Sequence, residues 1–407
     1  MDAAPTGETQ HWQRTLWTMV GVQFVMSMAF SILSPIMPLY LPHLGVVSPE
    51  AVDVWAGVLL SVTSFVAIFA APMWGSMGDR YGRKLMVLRS TLGIAIFTFL
   101  MGLASNPWHM LGLRAGMGAL AGFNSAATVL VSTQVPENRL GTSLGWLGTG
   151  QLVGSLIGPL IGGAVADVSG SYRAPFFFAG IVSLLGFLGT WRFVPERFTR
   201  PDASRQRPSL LSGLSVLTRT TGLVPLIVVM LMAQFATQSV QPVVTLFVQE
   251  MVGPRPELAT LGGLAFSVTG IAGVLAVPFL GRKSDVIGYR TVLLISLAGA
   301  ALFTVPQALP LGYWAFVVER FGLGLFIGGI LPAANSLIGR LTAGTNRGFV
   351  YGMVSSAYFV GNTLGPLSGG LIAASIGIRW VFTVTATLLL MNLVWVYFTV
   401  PEAGQRP

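Results

Sequence analysis

Three ionisable side chains stand inside long apolar runs of this sequence: Arg114, Glu319 and Arg320. A charge within a bilayer costs about 2.5 kcal/mol or more unless it meets a partner or a wet cavity, so residues of this kind mark ion pathways or buried pairs. Arg114 follows Trp108 by six residues, which at about 1.5 Å per residue places it about 9 Å along a helix. Glu319 is the one carboxylate that the apolar runs place well inside a span, next to Arg320. Neighbouring helical residues point about 100° apart, so the two need not pair. An acid at that depth has two roles open to it, proton carrier or half of a structural ion pair.

Neutral polar groups form a second pattern. Gln23, Ser27, Ser31 and Ser34 recur at i, i+4, i+8 and i+11 of one run, a single face of a helix. Gln234, Gln238 and Gln241 lie 207 residues beyond Ser27, Ser31 and Ser34. Such faces either line a shared polar cavity or join helices by hydrogen bonds. Asn124, Asn335, Tyr358 and Asn362 add amides and a hydroxyl to the candidate cavity, and Met26, Phe30 and Phe235 add apolar surface. Dispersion plus a few hydrogen bonds is the chemistry that holds bulky, drug-like molecules.

Two glycine motifs complete the set. Gly75-Ser76-Met77-Gly78-Asp79-Arg80-Tyr81-Gly82-Arg83-Lys84 returns as Gly281 to Arg290, with Gly, Asp, Gly and a cation at offsets 0, 4, 7 and 9. Read as a turn between two spans, it holds Asp79 and Asp285 among cations and forms a latch, or else an ordinary cation-rich loop. The run Gly154-x-x-x-Gly158-Pro159-x-x-Gly162-Gly163 returns as Gly361 to Gly370, including Gly365 and Pro366. Its small-x-x-x-small spacing packs helices closely and its proline removes a donor, which serves either a gate or plain packing.

Other chemistries are missing. The chain has no cysteine, hence no disulfide frame and no Cys-based metal site. His11, His43 and His109 are far apart, which argues against a metal cluster. No phosphate loop, dinucleotide fingerprint or nucleophile elbow occurs. The net charge of +9 is scattered over short loops, so no basic stripe marks a nucleic-acid surface.

The elements that must carry these residues are membrane spans. The chain is 53% hydrophobic and only 9% charged, against about 25% charged in soluble domains. Twelve runs approach the roughly 20 residues that a bilayer demands: 15–41, 54–77, 85–105, 108–133, 140–166, 173–194, 222–249, 257–280, 289–309, 312–338, 347–374 and 379–400. Met1 to Arg14 is polar and runs into the first span without a cleavage-type site, so that span is expected to be retained. Trp108, Arg114 and Arg173 have counterparts 206 residues later in Trp314, Arg320 and Arg379, the mark of a duplicated unit. The expected organisation is a six-helix bundle over residues 1–194, a linker at 195–221 and a second bundle at 222–407. With both termini inside, 18 of the 23 cations fall on the cytoplasmic side, as the positive-inside rule requires. The linker arginines then sit near anionic lipid headgroups.

These motifs resemble those of the major facilitator superfamily, over nearly the whole chain. The glycine-proline run is similar to that of its twelve-helix drug:proton antiporters, which include multidrug exporters. The resemblance implies an all-α fold of two pseudo-symmetric six-helix bundles rocking around a central cavity. It implies proton-driven efflux of amphipathic small molecules from the bacterial inner membrane and hence drug resistance, by a monomer that needs protons and no cofactor or metal. It further implies coupling through Arg114, which joins the buried Glu319 and Arg320 as the proton-coupling set, a cytoplasmic gate at Gly75, Asp79, Arg80, Gly82, Arg83, Lys84 and Asp285, and an outer gate at Gly154, Gly158, Pro159, Gly162, Gly365 and Pro366. Many relatives carry an acid in the first span, where this chain has none, and an aspartate where it has Gln134. The alternative reading is transport of a defined metabolite, such as a sugar or lipid-linked solute; an enzyme has no constellation in its favour.

Overall fold

A computed structural model describes residues 6–195, 222–309, 311–342 and 347–400. The described residues form α1 (Thr6–Tyr40), α2 (Pro49–Tyr81), α3 (Arg83–Met101), α4 (Pro107–Ala119), α5 (Phe123–Gln134), α6 (Leu140–Ser169) and α7 (Ala174–Phe193). They continue with α8 (Leu223–Ser239), α9 (Val244–Val252), α10 (Leu258–Ile287), α11 (Tyr289–Thr304), α12 (Tyr313–Leu341), α13 (Arg347–Ile376) and α14 (Ile378–Thr399). No β-strand occurs among them. Taking α4 with α5 and α8 with α9, twelve stretches among the described residues are long and apolar enough to cross a membrane, the number expected from sequence. The linker, apart from Pro195, lies outside the described residues.

Local chemistry explains where the helices stop. Asn106 caps α4 by accepting the His109 N–H at 2.8 Å, with Pro107 at the first helical position. The fourth span, expected to be continuous, breaks at Gly122, whose φ is +115°. The seventh interrupts between Ser239 and Val244, around Pro242, where the ring removes a backbone donor.

The Gly75 to Lys84 stretch is not the turn that its composition predicts. α2 runs on to Tyr81 and α3 starts at Arg83, leaving Gly82 alone as the connection, at φ +101°. Gly288 does the same between α10 and α11, at φ +90°. Only glycine takes this backbone conformation without a Cβ penalty, so one residue reverses the chain and the charged residues ride on helix ends.

By contacts the chain divides into two units. One comprises Met1–Val46, Phe65–Ala203 and Pro256–Gly263; the other comprises Val47–Ser64, Ser204–Arg255 and Leu264–Pro407. Within the first, α1 packs on α6 and α7, and α3 on α4 and α7. Within the second, α8 packs on α13 and α14, and α11 on α12 and α14. The neighbours are the same under the sequence repeat.

Glycine makes the closest of these contacts. Cβ atoms placed on Gly158 and Gly162 of α6 would lie 2.6 Å from the Met28 and Ile32 carbonyl oxygens of α1, and one on Gly154 would collide with Phe24 O. On α13, Gly361 and Gly365 stand equally close to Gln234 and Gln238 of α8. Lipid gives no hydrophobic drive between helices, so dispersion across bare backbones supplies the cohesion. Two cation contacts close the far ends: Lys84 Nζ donates to Trp191 O at 3.0 Å, and its repeat mate Arg290 donates to Tyr397 O at 2.7 Å. Each satisfies a carbonyl at a helix C-terminus, where a cation is favoured.

Gly158→Val is expected to destabilise the protein by about 1–3 kcal/mol through overpacking, seen as a lower thermal-unfolding midpoint in detergent. Gly145→Ala on the same helix, where nothing lies within 4 Å, is expected to leave the midpoint unchanged or raise it. A Gly158→Val protein as heat-stable as the parent contradicts this packing.

Candidate functional site

The second unit gathers its amides into one cluster. Gln234 and Gln238, one turn apart on α8, both donate Nε2–H to Asn362 Oδ1 on α13, at 3.0 Å and 2.5 Å. Gln241 Nε2 donates to Gln238 Oε1 at 3.3 Å, and Asn362 Nδ2 donates to Tyr358 O at 3.0 Å. The glycine seam makes this possible: Gly361 and Gly365 bring α13 so close that their Cβ positions would be 2.8 Å from the Cβ atoms of Gln234 and Gln238. Two donors share one carboxamide oxygen, which uses both its lone pairs.

In the first unit the arrangement is sparser. Gln23 Nε2 on α1 donates to Asn124 Oδ1 on α5 at 2.8 Å; Gln23 is buried and Asn124 exposed. Ser31 turns toward α6, its Oγ 3.1 Å from Met28 O and 3.4 Å from Gly154 O, so it belongs to the helix seam and not to the amide pair. Ser27 and Ser34 are half-buried. Met26 is buried and faces Gly186 of α7, inside the packing, whereas Phe30 is exposed. Asn335 is half-buried, and its backbone carbonyl accepts from the Tyr351 hydroxyl at 3.3 Å. The expected lining therefore separates into an amide cluster, an amide pair and residues that serve packing.

Arg320 is 7% exposed, donates Nε–H to Ala265 O at 3.1 Å, and lies 5.7 Å and 5.9 Å from the ring centroids of Phe266 and Phe316. A carbonyl and two aromatic faces offset part of the desolvation of a guanidinium. Glycine sets this geometry too. One turn further, a Cβ on Gly324 would strike Thr269 O, and after another turn one on Gly328 would lie 2.6 Å from Gly273 O. α12 and α10 thus run side by side in steps of four residues. Glu319, also buried, takes no hydrogen bond or ion pair among the described residues; adjacent Arg320 turns to α10 instead. Arg114 is 3% exposed.

At the Gly288 connection, Asp285 Oδ1 accepts from the Tyr289 hydroxyl at 2.5 Å, and Arg340 donates to that hydroxyl at 3.2 Å with its guanidinium 4.4 Å over the ring. Gly75 and Arg80 are exposed, Arg83 is half-buried beside Gly78, and the side chain of Asp79 lies outside the described residues. Nearby, Trp74 Nε1 donates to Ala119 O at 2.7 Å, while Arg89 lies 3.5 Å over the Trp74 ring and donates to Ala121 O at 3.0 Å. These two side chains satisfy carbonyls that the break at Gly122 would leave unpaired in lipid. Gln134 donates to Pro195 O at 2.9 Å.

Residues 19–262 and 258–407 match the Major Facilitator Superfamily. The chain belongs to this superfamily. Among curated superfamily relatives it is similar to the "Multidrug resistance protein MdtG" of Serratia proteamaculans, at 38% identity over 99% of this chain and 98% of that one. The protein of the same name from Yersinia enterocolitica is 39% identical over 98% and 95%. Solved superfamily folds resemble it too. The nucleoside transporter NupG, crystallised as a variant, superposes with a TM-score of 0.77 at 14% identity, covering 96% of this chain and all of that one. A bacterial homologue of the lysosomal transporter Spinster gives 0.71 at 14% identity, with 98% of both chains covered.

Several residues of this superfamily member escaped the sequence reading. Tyr289, Arg340, Trp74 and Arg89 join the networks above, and their signal was position: each sits beside a duplicated glycine or a helix break. Asp53, in the first turns of α2, is a further buried carboxylate, at the beginning of a span where Glu319 is well inside one. It falls one residue ahead of the apolar run read from sequence at 54–77.

Asn362→Leu is expected to strand the Gln234 and Gln238 donors at a cost of about 1–3 kcal/mol. The triple change that also converts both glutamines to leucine is expected to recover part of the loss, because partners in one network do not add. Thermal-unfolding midpoints of the variants check this; strictly additive losses contradict the network.

Proposed function

We propose that this protein is a secondary active transporter that exports amphipathic, drug-like small molecules in exchange for protons. What carries the reading is near full-length similarity to proteins named for multidrug resistance, set beside a neutral amide cluster suited to bulky substrates. Gln234, Gln238, Gln241, Tyr358 and Asn362, with Gln23, Asn124, Phe30, Ser27 and Ser34, line the path and offer hydrogen bonds without a fixed charge. Apolar groups add dispersion. The protein lies in the bacterial inner membrane with both termini in the cytoplasm, on the strength of the cation bias. Bundles over residues 1–194 and 222–407 alternate access as a monomer, with no cofactor, metal or catalytic group.

Glu319 takes and releases the coupling proton. It is buried without a partner among the described residues, and a lone carboxylate in such a place favours its neutral form. Arg320, the next residue, is a fixed cation whose field assists its release, and Arg114 is its repeat counterpart in the first unit. Asp285 with Tyr289 and Arg340, and Asp79, Arg80, Gly82, Arg83 and Lys84 in the other half, form the cytoplasmic gate. Gly154, Gly158, Gly162 and Gly365 hold neighbouring helices together. Pro159 and Pro366, whose carbonyls meet Gly263 and Gly57, serve the outer gate.

In inverted vesicles carrying the parent protein, adding a cationic or neutral amphipathic dye is expected to discharge an imposed pH gradient. Glu319→Gln is expected to lower pH-driven dye transport by about a hundredfold while dye binding stays within about twofold, the split expected of a lost proton group. Undiminished pH-driven transport by Glu319→Gln removes Glu319 from the coupling.

A further inference from the structure

The two glycine-proline runs make matching joints with the beginnings of other helices. In the first unit, Gly163 and Pro159 of α6 abut Ala259 and Gly263 at the start of α10. In the second, Gly370 and Pro366 of α13 abut Asp53 and Gly57 at the start of α2. Each joint brings backbone against backbone, and the sequence repeat relates them position by position.

Their capping differs. α2 is capped from within: Ser48 Oγ accepts the Ala51 N–H at 3.2 Å. The repeat puts Pro254 in place of Ser48, and a proline side chain accepts no hydrogen bond. α10 is capped from another helix. The Asp167 carboxylate, on the last turns of α6, accepts the Ala259 N–H at 3.2 Å with one oxygen and the Thr260 N–H at 2.7 Å with the other. These are the second and third residues of α10, whose N–H groups have no partner within the helix and are the ones an N-cap side chain takes. At the second joint the Asp167 position is held by Ala374.

The charge deepens the contrast. Asp167 lies near the C-terminus of α6, the negative end of its own helix, where an acid is disfavoured. The positive N-terminus of α10 offsets this, and charge-assisted bonds are the stronger kind. Asp167 is half-buried. Tyr172, in the loop after α6, has its hydroxyl pKa raised by burial and by the negative Asp167, so it faces the carboxylate as a neutral group. The Ala259 and Thr260 N–H groups are the hydrogen-bond donors that the described residues bring to the carboxylate, and both belong to α10.

We propose that Asp167 is the releasable catch of the transport cycle on the outer side, a positioning residue that holds the start of α10 against α6 and sets how readily that joint opens. The proposal rests on the alternating-access reading above. The test needs neither substrate nor proton gradient, so failure of the efflux assignment and failure of the catch are separate results.

Hydrogen–deuterium exchange of the full-length protein in lipid nanodiscs reads the joint directly. Asp167→Asn removes the charge and keeps one acceptor; Asp167→Glu keeps the charge. With Asp167→Asn, exchange across residues 256–263 is expected to quicken by about twentyfold, the scale of one lost charge-assisted bond. Exchange at the opposite ends of the spans, around Gly82 and Gly288, is expected to slow, because a carrier that opens on one side closes on the other. Asp167→Glu is expected to stay near the parent at those opposite ends. Faster exchange confined to residues 256–263, uniformly faster exchange along the chain, or no change at all would each overturn the catch and leave Asp167 a helix cap or a dispensable surface acid. If Asp167→Asn does not yield folded protein, Ala259→Pro, which deletes one of the two donors within the first helical turn, where proline is tolerated, is measured in its place against the same outcomes.

Discussion

Inside a bilayer core no water stands ready to satisfy a backbone group or to drive apolar surfaces together, and most features of this chain follow from that constraint. Cohesion has to come from close contact. The α6 glycines against the α1 backbone and the α13 glycines against α8 supply it, and they decide where functional side chains go. Gln234 and Gln238 reach Asn362 because Gly361 and Gly365 let the helices approach. Arg320 reaches the Ala265 carbonyl because Gly324 and Gly328 lay α12 along α10. Where the fourth span breaks, nearby donors answer: Trp74 and Arg89 reach the Ala119 and Ala121 carbonyls.

Duplication supplies the scaffold and departures from it supply function. The repeat mate of Glu319 is Leu113, and the mates of Gln238 and Gln241 are Ser31 and Ser34. Ser31 fills a helix seam while Gln238, two bonds longer, reaches across to a partner helix. The second unit thus concentrates both the amides and the buried acid, and the first contributes Gln23, Asn124 and Arg114. A symmetric frame that carries unequal chemistry is what a carrier needs in order to treat its two substrates, solute and proton, differently.

Much of this was legible in the sequence. Runs of membrane length and a 206-residue echo give twelve spans because lipid tolerates so few alternatives. The polar faces of α1 and α8 were legible as faces, since 3.6-residue periodicity fixes which residues share a side. It does not fix which neighbour that side meets: the Ser31 hydroxyl turns toward α6, and Met26 is buried against α7. The Gly75 to Lys84 stretch was read as a turn because glycine and charge cluster there; a helix end beside one left-handed glycine has the same composition. Asp53 was missed because hydropathy marks a span from its apolar interior and not from its first turns.

The central claim is that the amide face of α8 meets water and substrate, not lipid. The chain has no cysteine, so a single Gln238→Cys change gives one reporter thiol, read by its rate of reaction with a membrane-impermeant methanethiosulfonate. The account predicts labelling from the aqueous phase and protection by a transported amphipathic dye. A thiol that reacts only with a lipid-soluble maleimide, or that the dye leaves unprotected, would contradict it.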